Sequence, residues 1–287
     1  MKKINLRILS LFLFVAIAAT AFAQEEEAPK KEEAPKEEEA PKKDNSGTNP
    51  VNFTYDFRLI TEMQQFKDNG GSQNRVIMEL RAPLGRDLAN VTGSEAGALV
   101  DMGSRFAVRM RGYYNTVNFN DAANTTVSGI GDFDVRFLGI AHANQKWAVA
   151  PGLEAFFDTS SNDIIASGST VLAPVIFFGF FNALGKYSIF APGIQHQFSV
   201  DGNDVSRTVL DIYYVKMLAK GKNWLIVNPQ PVYDWENETG WMTVDVEWGF
   251  MIVPKSGIAG YVRPGFGIGA DRPFNYNFEF AIKFVWR

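Results

Sequence analysis

Hydrophobic and polar residues alternate along most of the chain after residue 50. The last such segment is the clearest, with large apolar side chains at every second position: Phe278, Phe280, Ile282, Phe284 and Trp286. A period of two residues is that of a β-strand with one apolar and one polar face. The preceding segments, 256–269 and 240–253, follow the same pattern, so the sequence predicts a succession of strands.

Twelve segments of this kind can be distinguished, and many are longer than the strands of soluble proteins. Soluble strands commonly have about five or six residues, whereas strands that cross an outer membrane need about 9–11. The sequence therefore predicts an all-β fold, a transmembrane antiparallel β-barrel over residues 50–287 with about twelve strands, an even number as in bacterial barrels. The predicted strands are 51–66, 74–84, 101–114, 130–142, 146–158, 169–182, 186–200, 206–218, 223–235, 240–253, 256–269 and 273–286.

The connections and the aromatic residues fit this prediction. Longer polar loops are expected at 115–129, 159–168 and 201–205, and a long connection at 85–100 interrupts the otherwise short turns of the opposite end. Six aromatic residues near strand ends are predicted to form the girdles that such barrels place at membrane interfaces. They are Trp147, Tyr187, Trp224, Trp235, Trp241 and Trp286.

The first 49 residues differ from the rest of the chain. Three basic residues and a mostly apolar stretch precede a small-x-small sequence at 21–23, so residues 1–23 are predicted to be a cleaved signal peptide. The apolar stretch is shorter than the ~20 residues of a spanning helix. Residues 24–49 repeat Glu, Ala, Pro and Lys without a large apolar side chain, which predicts a disordered linker. This linker is either a solvated spacer or a periplasmic tether to the cell wall or another partner.

Composition excludes several functional classes. The chain has no Cys and two His, so we expect no disulfide, no metal site and no cofactor. Residues 50–287 carry 20 basic and 23 acidic side chains without a basic run, which argues against nucleic acid as a partner. The expected partners are outer-membrane lipid, a small-molecule solute and the barrel-assembly machinery.

Short glycine-rich motifs in the middle of the chain resemble a known family. They are Gly129-Ile-Gly-Asp-Phe, Trp147-Ala-Val-Ala-Pro-Gly-Leu-Glu, Asp158-Thr-Ser-Ser and Gly168-Ser-Thr-Val-Leu-Ala-Pro. Their order resembles the outer-membrane transporter family named after the meta-pathway of phenol degradation, although Asp158-Thr159 replaces the Pro-Thr of that family. The resemblance implies a porin-like outer-membrane barrel that passes hydrophobic or aromatic compounds.

The polar face of each strand is predicted to line the lumen. The first four strands would form a basic wall of Arg58, Arg75, Arg81, Arg105, Arg109, Arg111 and Arg136. The last four would form an acidic wall of Asp234, Asp245, Glu247 and Glu279, with Arg263 and Lys283 as exceptions. Across a narrow aqueous pore the two walls would set up a transverse field that favours polar or charged solutes. Local pairing with carboxylates among the arginines, such as Glu62 and Glu79, is the alternative.

The sixth predicted strand is apolar on both faces. Its four aromatic residues, Phe177, Phe178, Phe180 and Phe181, suggest an apolar path for a solute. Packing against a loop folded into the lumen would explain them equally well.

Together these features predict a channel or transporter in the cell outer membrane for passive passage of small molecules. One alternative is a structural barrel with a plugged lumen, tethered by its periplasmic linker. A less supported one is a lipid hydrolase, which needs a Ser–His pair. We predict no enzyme, because Ser199 and His196 fall on opposite faces of one strand and no hydrolase motif surrounds His142.

Overall fold

Twelve antiparallel β-strands form one sheet that closes on itself. The computed structural model describes residues 53–67, 70–84, 106–144, 146–165 and 167–286. The strands are β1 Tyr55–Phe66, β2 Ser72–Leu84, β3 Phe106–Asn118, β4 Thr126–Gly139, β5 Trp147–Phe157, β6 Ser169–Phe181, β7 Ser188–Gly202, β8 Ser206–Leu218, β9 Asn223–Asp234, β10 Thr239–Val253, β11 Ile258–Ile268 and β12 Phe274–Trp286. Each strand pairs with its neighbours in sequence, and the pairing of β1 with β12 closes the ring. The prediction of an all-β barrel with twelve strands is confirmed.

The outer surface of the barrel carries the apolar half of the alternation. On β12, Phe278, Phe280 and Phe284 are 39%, 45% and 41% exposed. On the same strand Asn277 and Lys283 point into the barrel and are 5% and 0% exposed. This arrangement is the reverse of a soluble protein, in which apolar side chains are buried and charged ones exposed.

The two ends of the barrel have different connections. Tyr55 pairs with Trp286, so both described chain ends lie at one end, here called the terminal end. That end has the turns 140–146, 182–187, 219–222 and 254–257, in which His142–Ala143 pairs with β5 and two segments form 3₁₀ turns. The opposite end, the loop end, has the connections 67–71, 119–125, 158–168, 203–205, 235–238 and 269–273. Within the described residues, no helix is long and apolar enough to cross a membrane.

The hairpin of β3 and β4 is longer than predicted. The sequence predicts a loop over 115–129, but β3 continues to Asn118 and β4 begins at Thr126. Thr116 pairs with Ser128, and their hydroxyl oxygens are 3.0 Å apart. Polar cross-strand pairs therefore extend the hairpin toward the loop end. The sequence suggests a loop there because these residues are mostly polar on both faces.

Several predictions fall on residues outside the described ranges. They are the signal peptide 1–23, the linker 24–49, the connection 85–100 and Arg105 of the predicted basic wall. They stay predictions.

Candidate functional site: the barrel interior

Buried ion pairs cover much of the interior wall. Those on β3, β4 and β5 form what we call the Glu154 cluster, which consists of Arg109, Arg111, Arg136, Asp134 and Glu154. The fully buried Glu154 accepts hydrogen bonds from Arg109, from Arg111 at 3.3 Å and from Arg136 at 2.8 Å. Three guanidinium groups thus share two carboxylates in the cluster, and the buried carboxylate of Asp211 on β8 interacts with Arg136 from outside it.

Two neutral side chains complete the Glu154 cluster. Gln195 on β7 donates its side-chain N–H to Glu154 at 2.8 Å, although β6 lies between their strands. The hydroxyl group of Tyr113 donates to Asp134 at 2.6 Å. Side-chain donors thus add to the ion pairs of the two buried carboxylates, which offsets the cost of burying their charges.

A second set of ion pairs lies on β1 and β2. Arg58 contacts Asp56 at 2.7 Å and Glu79 at 3.2 Å, and Arg81 contacts Glu79 at 2.8 Å. Nearer the loop end, a separate pair joins Arg75 to Glu62 at 2.5 Å.

A third set lies on β10, β11 and β12 around one arginine. Arg263 contacts Glu247 at 2.6 Å and Glu279 at 3.1 Å. Tyr261 donates its hydroxyl group to Glu279 at 3.2 Å, and the indole N–H of Trp224 donates to Glu247 at 2.6 Å.

Each described arginine of the predicted basic wall contacts at least one carboxylate, on its own strand, on a neighbouring strand or, for Arg109 and Arg111, across β4 on β5. Glu247 and Glu279 of the predicted acidic wall both pair with Arg263. Asp234 instead accepts hydrogen bonds from the backbone N–H groups of Glu236 and Asn237 and closes the turn 235–238. The interior is thus a set of local ion pairs and not two opposed walls, because paired charges avoid the cost of isolated buried ones. Asp245 has no such pair in the part of the chain that the structure describes.

Near the terminal end, side chains fill the lumen beside the ion pairs. Trp224, Tyr261 and Ile189 are fully buried in one cluster with small residues such as Ala259, and Phe177 of β6 is fully buried as well. We call this the aromatic layer. The ammonium group of Lys283 lies 4.9 Å from the ring centre of Trp224. A solute that passes through the barrel would have to displace these side chains.

Trp224 was predicted in an interfacial girdle on the outer surface, and the structure shows this prediction to be wrong. The side chain points inward, and its indole ring covers Gly249 of the neighbouring strand β10. A methyl group on Gly249 would collide with the ring. The absence of a side chain at Gly249 therefore creates the space that the indole occupies.

The four phenylalanines of β6 lie on opposite faces of the strand. Phe177 and Phe181 are buried in the barrel, whereas Phe178 and Phe180 lie on the other face, where Phe180 stacks on Phe190 at 6.3 Å. The guanidinium group of Arg136 lies 5.6 Å from the ring centre of Phe177. Only two of the four are placed to face a solute, and one of them contacts the Glu154 cluster.

The glycine-rich motif at 129–132 anchors the connection 158–168. Asp132 accepts hydrogen bonds from the backbone N–H groups of Thr159 and Ser160 at 3.2 Å and of Ser167 at 2.8 Å. A methyl group on Gly129 would collide with Ser161, so the loop packs directly on β4. Partial desolvation and the nearby carboxylate of Asp132 raise the pKa of Asp158. The motif thus has a structural role: it holds the connection 158–168 against the loop end of the barrel.

The substitution Asp132→Ala should release this loop. Three backbone N–H groups lose a charged acceptor, and hydrogen bonds to charged groups contribute about 1.5–3 kcal/mol each. Hydrogen exchange should become faster at the amides of residues 159–167 and stay unchanged elsewhere. Asp121→Ala is the matched control, because Asp121 accepts from Thr125 in the separate connection 119–125. Equal protection of 159–167 in the two variants would contradict the role of Asp132.

The two histidines lie apart from the interior charges. His142 stacks on Trp147 with ring centres 4.3 Å apart, and His196 Nδ1 lies 3.0 Å from Thr208 Oγ1. Ser199 accepts a hydrogen bond from the backbone N–H of Val205 at 3.1 Å. These contacts place each histidine beside a neighbour other than the serine that a hydrolase would need.

The fold is similar to that of solved structures described as a channel and as porins. The COG4313 outer membrane channel from Pseudomonas putida F1 superposes with a TM-score of 0.62 and 10% identity, over 82% of this chain and 96% of that one. The KdgM porin and the NanC porin each reach a TM-score of 0.50 at 11% identity, over 81% of this chain and 99% of theirs. No protein family and no curated protein matches the sequence. At these identities the likeness shows the barrel fold.

Proposed function

We propose that this chain is an outer-membrane channel for passive passage of small molecules. The observation that carries the proposal is the inverted barrel, with phenylalanines on the outer surface and charged side chains inside. Outer-membrane barrels have this distribution, because their outer surface faces lipid and their interior is polar. The predicted signal peptide 1–23 would direct export, and the structures named as channels and porins support the same role.

The contents of the lumen suggest which solutes could pass. The aromatic layer offers apolar contacts from Trp224, Tyr261 and Phe177, and ion pairs lie directly beside it. We infer that a suitable solute combines an apolar part with polar groups, in line with the hydrophobic or aromatic compounds that the sequence resemblance implies. Water and simple ions would pass slowly, because the aromatic layer is filled.

A second candidate is a barrel with a permanently plugged lumen. The fully buried side chains of the aromatic layer favour it, since they leave solvent no access at that level. Such a barrel would serve as an anchor, with the predicted linker 24–49 as its tether.

Single-channel recording distinguishes the two candidates. The purified protein should insert into planar bilayers and give discrete conductance steps in potassium chloride, smaller than those of an unobstructed porin. Heat-modifiable migration in gels checks that the barrel is folded. A folded protein that inserts and stays silent would refute the channel and leave the plugged barrel.

A further inference from the structure

The described turns at the terminal end of the barrel are basic. Each of the four contains an exposed lysine, and none contains Asp or Glu. These lysines are Lys146, Lys186, Lys222 and Lys255. The loop end has the opposite character, since its connections include acidic residues such as Asp121, Asp163 and Glu236. Positive charge is thus concentrated on the turns of one end.

A fifth lysine relates these turns to the outer surface of the barrel. Lys216 of β8 is in the register row of Leu225 and the exposed Trp248, so its side chain leaves the barrel on the outer surface. Its ammonium group reaches the terminal end, where it donates to the backbone oxygen of Lys186 at 2.8 Å. A lysine on a lipid-facing surface keeps its stem among apolar groups and extends its charge to the headgroup level in this way. We call Lys216 and the four turn lysines the basic rim.

Exposed aromatic side chains lie at the same level as the basic rim. Trp147 directly follows Lys146 and shares the outer surface with its register neighbour Phe180. Tyr187 directly follows Lys186, whose ammonium group lies 5.2 Å from the ring centre of the tyrosine. Trp and Tyr are enriched where a membrane protein meets the lipid headgroups. The lysines and the aromatic residues therefore indicate one headgroup level, at the turns of the terminal end.

The basic rim has no counter-charge of its own. In contrast to the interior arginines, none of its five lysines forms an ion pair with a carboxylate in the part of the chain that the structure describes. Ammonium groups that repel one another along one edge attract anions from their surroundings. At the headgroup level the available anions are lipid phosphates, and anionic lipids attract lysines more strongly than neutral ones do.

We propose that the basic rim binds the headgroups of anionic phospholipids in the leaflet that surrounds the terminal end. The lysines pair with the phosphate groups, while Trp147 and Tyr187 lie among the headgroups beside them. The acidic connections of the loop end repel the same lipids, so the charge distribution also favours one orientation of the barrel. The inference rests on the membrane insertion that the proposed function includes, but it does not require conduction.

Electron paramagnetic resonance of spin-labelled lipids tests the proposal. The purified protein is reconstituted in phosphatidylcholine vesicles with a trace of labelled phosphatidylglycerol or labelled phosphatidylcholine, and the spectra give the fraction of label that the protein surface restricts. The anionic label should associate several-fold more strongly than the neutral one at low salt. Concentrated salt should remove this preference, because it screens exposed charges.

Two triple variants isolate the contribution of the rim. Replacing Lys146, Lys186 and Lys255 together by Gln removes three of its five charges, so the preference for the anionic label should fall to a small part of the wild-type value. Replacing the same three lysines by Arg is the matched control, because it keeps the charges, and the preference should stay. Heat-modifiable migration in gels checks that each variant is folded.

Two results would overturn the proposal. One is equal association of the two labels with the wild-type protein at low salt, and the other is an undiminished preference in the Gln variant. In both cases the restricted lipid still shows that the barrel is inserted, so the channel is unaffected. Absence of restricted lipid with either label would refute insertion, and with it both this proposal and the channel. A silent barrel that prefers the anionic label would refute only the channel.

Discussion

Replacing Trp224 by Ala should increase the single-channel conductance severalfold. The indole ring is fully buried in the aromatic layer and occupies the space above Gly249. Its removal leaves a void that water and ions can enter from the ion-pair side of the lumen. The cost to stability should be about 3–5 kcal/mol, as for other buried Trp→Ala changes. Planar-bilayer recording in potassium chloride measures the effect.

Trp248 provides the control for this experiment. It lies on β10, next to Gly249 in sequence, but on the outer surface, where it is 45% exposed. Trp248→Ala removes the same side chain without changing the lumen, so its conductance should equal that of the wild type. An unchanged conductance in folded Trp224→Ala would show that the aromatic layer is not the narrowest part of the path.

Replacing Glu154 by Gln should strongly destabilise the barrel. Three arginines converge on this carboxylate, and the substitution leaves Arg109 and Arg111 in ion pairs with Asp134 and leaves Arg136 without its described ion pair. Breaking a buried ion pair on one side costs about 3–5 kcal/mol. Urea unfolding in lipid vesicles measures the loss, and the surviving channels should become more selective for anions.

A second substitution separates the charge effect from simple loss of packing. Adding Arg136→Gln to Glu154→Gln removes one of the uncompensated charges and should recover part of the stability. Glu236→Gln, in the exposed turn 235–238, is the control and should unfold as the wild type does. A Glu154→Gln protein with wild-type stability would mean that water reaches the cluster and screens its charges.

The periodicity of the sequence was sufficient to predict the strands, because in most of them only one face is apolar. On β12, Phe280 and Lys283 fall on opposite faces by counting alone, and the structure places them so. On β9 the count is less informative, since Trp224 and Leu225 are both apolar neighbours. Whether Trp224 faces lipid or lumen depends on Gly249 across the ladder, and that register is not visible in the sequence.

The pairing of the interior charges could not be predicted for a related reason. Alternation indicates which side chains point inward but not how far along the barrel each one lies. Glu154 contacts Arg109 on β3, with β4 between them, and Gln195 on β7, with β6 between them. Such contacts depend on the tilt of the strands and the curvature of the sheet. Glu154 itself has a sequence signal, since it is the single charged residue of β5.

The pairing of β1 with β12 has a consequence for biosynthesis. These strands hold the first and last parts of the barrel to be made, and they pair from Tyr55–Trp286 to Phe66–Phe274. The ring therefore cannot close until the residues of β12 have been synthesised. A chain arrested before that point would keep two long unpaired edges, which are templates for association with other chains. Protection of these edges until the ring closes is thus a requirement that the topology itself imposes.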